Sequence, residues 1–266
     1  MDKPYIELSY WQVGLAALLI LVNGGISLML RLDIERRLLV AGFRTVAQLL
    51  LVGLVLQWVF RVGRWYIILG LLAAMTVVAG VSAVRRVHVR YPGIWLSSLI
   101  SIWASSWLMG ALAVFVIVPV EPWYSPQYAI PLLGMILGNT LSGISLGLDR
   151  LGGELGGSRP QVEALLALGA TRWEAARGPL QQAVRTGMIP IINSMMVAGV
   201  VSLPGMMTGQ LLAGVDPIEA VKYQIIIMFL IASGTALGTV GVVLLSYKRL
   251  FNDDHQFLYQ LVREHP

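Results

Sequence analysis

The sequence predicts an all-α polytopic membrane protein of about seven transmembrane helices, with one long polar loop between two of them. Three observations carry that fold class. Of 266 residues, 57% are hydrophobic and 12% charged, where a soluble domain is about a quarter charged. The apolar residues gather into runs near the roughly 20 residues that cross a bilayer. Lys and Arg fall between those runs, and mostly on one side. The net charge of +5 is therefore a matter of membrane topology and not of a nucleic-acid partner. The chain has no cysteine, which excludes disulfides, thiolate metal sites and thiol catalysis.

Taken in order, the spans are 9–30, 38–60, 65–84, 94–118, 128–148, 187–203 and 224–247, in a single transmembrane domain, 1–266. The first has no basic segment before it and no small-residue cleavage site after it, so it reads as an uncleaved span. The sixth is short. Pro204-Gly205 breaks its end, and the stretch from there to Val215 reads as a re-entrant or tilted piece rather than a simple loop. One set of loops holds fourteen Lys and Arg, and the opposite set only Lys3, Arg61, Arg64 and Lys222. That bias places the N-terminus outside and the C-terminus in the cytoplasm. Tyr10, Trp11, Trp58, Trp65, Tyr66, Trp123 and Tyr223 mark the outer boundary, and Tyr91, Trp95 and Tyr247 the inner one.

The cytoplasmic loop 149–186 contains the longest polar stretch. It reads as two short helices joined at a glycine. Ser158 with Gln161, and Thr171 with Glu174, have the spacing of two capping boxes. Gly169 stands where a left-handed residue would end the first helix. Gly152-Gly153 and Gly156-Gly157 suggest a flexible entry. Such a compact knob is either an ordinary amphipathic loop or a docking element.

Two absences matter. A nucleotide-binding loop needs glycines followed by Lys and Ser or Thr, and Lys3, Lys222 and Lys248 have no such context. The spans hold no Asp, Glu, His or Lys, which disfavours a carboxylate ion relay. Arg44 is the exception, with Gln48 one turn on. It either snorkels to helix-end carbonyls or touches substrate. Small residues stripe the fifth span at Gly134, Gly138 and Ser142 and again at Asn139, Gly143 and Gly147, as helix packing or a dimer seam would require. Between Val200 and Gln224, the Pro204-Gly205 break would free carbonyls beside Met195, Met206 and Met207, while Asp216-Pro217 and Glu219 start a helix. These methionines either fill gaps or, with Asn139, line a substrate path of oxygen and thioether groups, with Asp216 and Glu219 at its outer mouth. The metal, if there is one, is unknown.

The polar knob resembles the coupling loop of ATP-binding cassette (ABC) permeases. Glu163, Ala164 and Leu165 precede Gly169 with the spacing of the family's Glu-Ala-Ala, three residues, Gly pattern. Leu replaces the second Ala, and the Leu-Pro that should follow is out of register. VSLPGMMTGQLLAGVDPIEAVKYQI, GMILGN, ALGATRWEA and FRTVAQLLLVG together resemble the FetB-type permease family, bacterial iron-export permeases related to plant aluminium-tolerance permeases. The resemblance implies a homodimeric bacterial inner-membrane subunit with a cytoplasmic coupling helix, moving iron-like metal ions or a metal chelate outward. ATP would be bound by a separate soluble ATPase, so this chain itself would hold no cofactor and be no enzyme. Glu163, Ala164, Leu165, Leu168, Gly169, Ala170, Thr171 and Trp173 would couple it to that ATPase. The rival expectations are an ATP-independent channel or secondary carrier, and a membrane scaffold with no transport role.

Overall fold

The computed structural model describes residues 9–264. Lys3 and the rest of segment 1–8, on which the exterior N-terminus partly rests, lie outside the described residues. Nine α-helices are present among those described: α1 Tyr10–Leu30, α2 Glu35–Val62, α3 Trp65–Arg85, α4 Ile94–Leu112, α5 Pro126–Gly157, α6 Arg159–Ala167, α7 Arg172–Val197, α8 Gly205–Leu212 and α9 Pro217–Leu250. A π turn at Ala113–Ile117 extends α4, and two short strands, β1 Val89–Arg90 and β2 Arg263–Glu264, pair antiparallel. Among the described residues, six helices are long and apolar enough to cross a membrane: α1 to α5 and α9.

The described residues form two compact units, 9–64 with Leu212–Gly214, and Trp65–Leu211 with 215–264. In the first, α1 and α2 make a hairpin. Its turn is fastened by Ser27, whose Oγ donates to Glu35 at 2.8 Å and accepts the Ile34 N–H at 3.3 Å. In the second, α5 is the central helix, packed chiefly against α7 and α9. Small residues explain how close that packing is. A Cβ on Gly143 would stand 2.6 Å from the Thr235 methyl, and one on Gly187 2.6 Å from the Gly143 carbonyl. Thus α5 and α7 meet backbone to backbone, which only glycine allows. Of the two predicted stripes, Gly143 and Gly147 are packed inside, while Gly138 and Asn139 are exposed. Buried hydroxyls fill the neighbouring seam: Ser97, Ser98, Ser101, Ser105 and Ser106 on α4, Thr140 on α5, and Thr235 and Thr239 on α9. At one end of the bundle, Met109, Leu132, Ile136, Ile191, Ile227 and Ile231 close an apolar cluster.

The structure corrects three expectations. The double glycines do not loosen the chain, because α5 is helical through Gly157. Gly152 is there for room: a Cβ would lie 2.5 Å from Val89. Ser158 makes no side-chain cap, since α5 runs to Gly157 and α6 follows at once with Pro160 in its first turn. Finally, the second helix of the knob is not short. It is the start of α7, which continues for 26 residues into the predicted sixth span. That segment falls outside the six apolar helices: Arg172, Glu174, Arg177 and Arg185 charge it, and Gln181, Gln182 and Asn193 make its remainder less apolar. It nevertheless runs antiparallel to α5, with Gly187 beside Gly143 and the Ala183 carbonyl near Gly147.

Candidate functional site

The knob is α6, a turn and the first turns of α7, and its backbone is fixed at both sides of the turn. The Gly169 N–H donates to the Leu166 carbonyl and the Ala170 N–H to that of Leu165, each at 3.0 Å. With Gly169 at φ 90° this is a Schellman ending, in which the left-handed residue lets two terminal carbonyls be paired. The predicted box at Thr171 is formed. Thr171 Oγ1 accepts the Glu174 N–H at 3.3 Å, and the Glu174 carboxylate accepts from the Thr171 N–H at 2.8 Å. That backbone N–H, with the Thr171 hydroxyl, holds the Glu174 carboxyl below its ordinary value of 4.5.

What the knob presents is apolar. Leu168 is 85% exposed and Leu165 43%, with Ala164 exposed beside them. Val162 is buried on the opposite side. Glu163 is paired with Arg159 at 2.7 Å, so it is a brace for α6. Trp173 is half-exposed but stands edge-on to Tyr247, with 5.6 Å between rings. It ties the knob to α9 as much as it faces outward.

A feature missed from the sequence holds this knob in place. After α9 the chain turns back as a clasp of aromatic and polar contacts. Arg172 donates to the Asn252 carbonyl at 2.8 Å and pairs with Asp253 at 2.7 Å, and its backbone N–H donates to His255 Nδ1 at 3.2 Å. The Arg159 guanidinium lies 3.9 Å above the Tyr259 ring, a cation–π contact. Tyr247, Phe251, Phe257 and Tyr259 form a continuous aromatic row. Beyond it, β2 pairs with β1 in the α3–α4 connection, Val89 opposite Glu264. The alternation of Phe and Tyr in FNDDHQFLY was the available signal.

At the far end of α7, a cavity of about 470 Å³ is lined by Met195, Gly199, Pro204, Met207, Gln224 and Met228, among others. The structure therefore gathers three residues of the predicted path, Met195, Pro204 and Met207, but against α9 and not against α5. Asn139 sits on the exposed face of α5 and donates to its own helix, at the Met135 carbonyl. Met206 points away, into the apolar cluster. The carbonyls of Leu203 and Pro204 are not left free either, since the Thr208 hydroxyl bonds both. Asp216 caps α9, accepting the Ile218 and Glu219 N–H groups at 2.9 and 3.3 Å, and Glu219 pairs with Lys222 at 2.6 Å. Arg44 and Gln48 are both exposed, one turn apart on α2. Among the described residues no group of three or more His, Cys, Asp or Glu could hold a metal ion.

Comparison with known proteins gives the chain its relatives. The model of the Uncharacterised protein family (UPF0014) matches residues 10–251. The UPF0014 membrane protein slr1647 of Synechocystis is 40% identical over 264 residues, 97% of this chain and all of that protein. The probable iron export permease protein FetB of Escherichia coli is 32% identical over 247 residues, 92% of this chain and 93% of FetB. The protein ALUMINUM SENSITIVE 3 of Arabidopsis thaliana is 29% identical over 226 residues, 85% of this chain and 81% of that protein. No solved structure matches the chain.

Proposed function

The chain belongs to the UPF0014 family of membrane proteins, and from that membership we propose that it is the permease subunit of an ABC transporter, driven by a separate soluble ATPase. The carrying observation is the knob: apolar side chains at Leu165 and Leu168 are exposed on a doubly fixed backbone. A helix that displays such residues to solvent is suited to a partner's groove. A continuous helix leads from that face inward, because α7 begins in the knob and ends at the cavity. Movement imposed by the ATPase would reach the cavity without an intervening loop, a two-state coupling between distant sites.

The resemblance to FetB supports outward transport of metal as the activity. The residues present favour a chelate over a bare hard ion, which would call for carboxylate or imidazole ligands. The chain acts as a homodimer in the bacterial inner membrane, N-terminus outside, with two ATPase copies docked beneath. ATP is hydrolysed on those partners and not here.

The test is co-purification with the ATPase. Leu168→Asp should abolish it, and Gly169→Val should weaken it because a branched residue is strained at φ 90°. The permease must still insert and elute as a single species. A Leu168→Asp variant that retains the ATPase and normal transport would reject the docking role.

A further inference from the structure

We propose that the exposed face of α9 near the knob holds one anionic phospholipid, its phosphate between Lys248 and Arg185 and its two acyl chains in the grooves on either side of Leu244. Shape is the first argument. One groove, of about 570 Å³, lies between α4 and α9 and is walled by Ile100, Leu108 and Leu237. The other, of about 440 Å³, lies between α7 and α9 and is walled by Leu180, Val184 and Val240. Trp173 and Leu244 line both, so the two grooves flank a single ridge. Leu108, Leu237 and Leu244 are exposed there, on helices long and apolar enough to cross a membrane. Two apolar channels astride one ridge fit a molecule with two chains joined at one head.

Charge is the second argument. Each groove has one cation in its lining, Lys248 in the first and Arg185 in the second, and neither has a carboxylate. Both side chains are exposed, and among the described residues neither makes an ion pair. A phosphate diester supplies the missing counter-charge.

The third argument is convergence. Gly147 lies against Ala183 and Val243, and Gly143 against Gly187 and Thr235, so α7 and α9 run antiparallel. Lys248 and Arg185 stand on opposite sides of the Ala183–Val243 level, roughly 10 Å apart along the seam. Side chains lean toward the N-terminus of their own helix, and in an antiparallel pair that turns these two toward each other. One phosphate is within reach of both, of Lys as a point charge and of Arg through its fork. Trp173, edge-on to Tyr247, stands at the same end, as rings with one polar edge do at headgroup level. A second copy of this chain is the poorer occupant. A two-fold contact over this face would set cation against cation, with no acidic group in either lining to offset them.

The experiment titrates the full-length protein in detergent with phosphatidylglycerol or phosphatidylcholine of identical acyl chains, and counts bound lipid by native mass spectrometry. One phosphatidylglycerol per chain should bind saturably, about tenfold more tightly than phosphatidylcholine. Lys248→Gln and Arg185→Gln should each weaken it about fivefold, the worth of one basic residue at an anionic lipid surface. Lys248→Arg and Arg185→Lys should retain it. Ala104→Trp and Val240→Trp, which fill the grooves, should weaken both lipids. Equal affinity for the two lipids, or unchanged phosphatidylglycerol binding in Lys248→Gln/Arg185→Gln, would overturn the proposal. So would competition by inorganic phosphate at constant ionic strength, the mark of a free-anion site. Disulfide formation in the bilayer between two chains carrying Leu244→Cys would overturn it as well, by assigning the face to a contact between copies. Neither ATPase nor cargo is present, so failure here leaves the docking test untouched, and failure there leaves this one.

Discussion

At the scale of single residues, glycines with the same helical backbone have opposite roles. Gly187 and Gly178 both lie within α7. A Cβ at Gly187 would meet the Gly143 carbonyl at 2.6 Å, while nothing lies within 4 Å of one at Gly178. Gly187→Ala should therefore destabilise by about 1–3 kcal/mol through overpacking. Gly178→Ala should stabilise by about 0.5–1 kcal/mol, because alanine is the better helix former. Thermal unfolding of the purified variants reads both signs. Glu174 gives a pH dependence. Its carboxyl is held below 4.5 in the folded knob, so the stability it adds is present above that value and is lost as pH falls through the folded pKa. Hydrogen exchange at residues 171–176, corrected for intrinsic rate, should accelerate on acidification below 4.5. In Glu174→Gln that acceleration should be smaller. The Thr171 box was legible in the sequence because a capping box is local: both partners lie within one turn. The place of Gln224 was not, since Met195 and Met207, which line the same cavity, come from other elements.

At the scale of elements, the sequence conveyed where apolar helices lie better than where polar ones stop. Gly152 read locally as punctuation, yet α5 continues through it, with Val89 of the α3–α4 connection packed onto that face. Likewise Gly187 read as the start of a span, although it marks the contact of α7 with α5. Two predictions belong here. Placing glycine at both Gln181 and Gln182, which are exposed on α7, weakens the helix by about 1 kcal/mol per site. ATPase docking should persist while cargo-stimulated ATP turnover falls. Full turnover would mean that α7 is not the connection. The clasp can be read by cross-linking, since the chain has no cysteine of its own. Val89→Cys with Glu264→Cys, direct partners in the β1–β2 register, should form a disulfide under mild oxidation. Adding Arg172→Ala and Tyr259→Ala should lower its yield, because these side chains hold the intervening segment.

At the scale of the whole molecule, orientation rests on loop charge, and α5 offers the direct check. Ser125 precedes it and Ser158 follows it, at opposite ends of a helix of 32 residues, about 48 Å long. A cysteine introduced at Ser125 should react with an impermeant maleimide from outside intact cells, and one at Ser158 only after lysis. Reversed labelling would remove the knob from the cytoplasm, and the ATPase with it. The fold class was readable because composition and periodicity are properties of the whole chain. The grouping of Met207 with Gln224 and Met228, and of Met206 elsewhere, was not. Adjacent residues on a short helix point to different neighbours, and only the packed structure assigns them.

The backbone contact at Gly187 also sets a gear ratio. From Arg172 to Gly187 α7 has an arm of 15 residues, and from Gly187 to Val197 one of 10, or roughly 22 and 15 Å at 1.5 Å per residue. If the helix tilts about that contact, a stroke of about 3 Å at the knob arrives as about 2 Å at the methionine wall, in the opposite direction. Pro190 lies in the shorter arm and lacks the N–H that would complete one rung of the helix. Bending there absorbs part of the motion, so two-thirds is the upper limit. A transmission of this kind would be geared down: the cavity wall would travel less than the knob, with proportionately greater force.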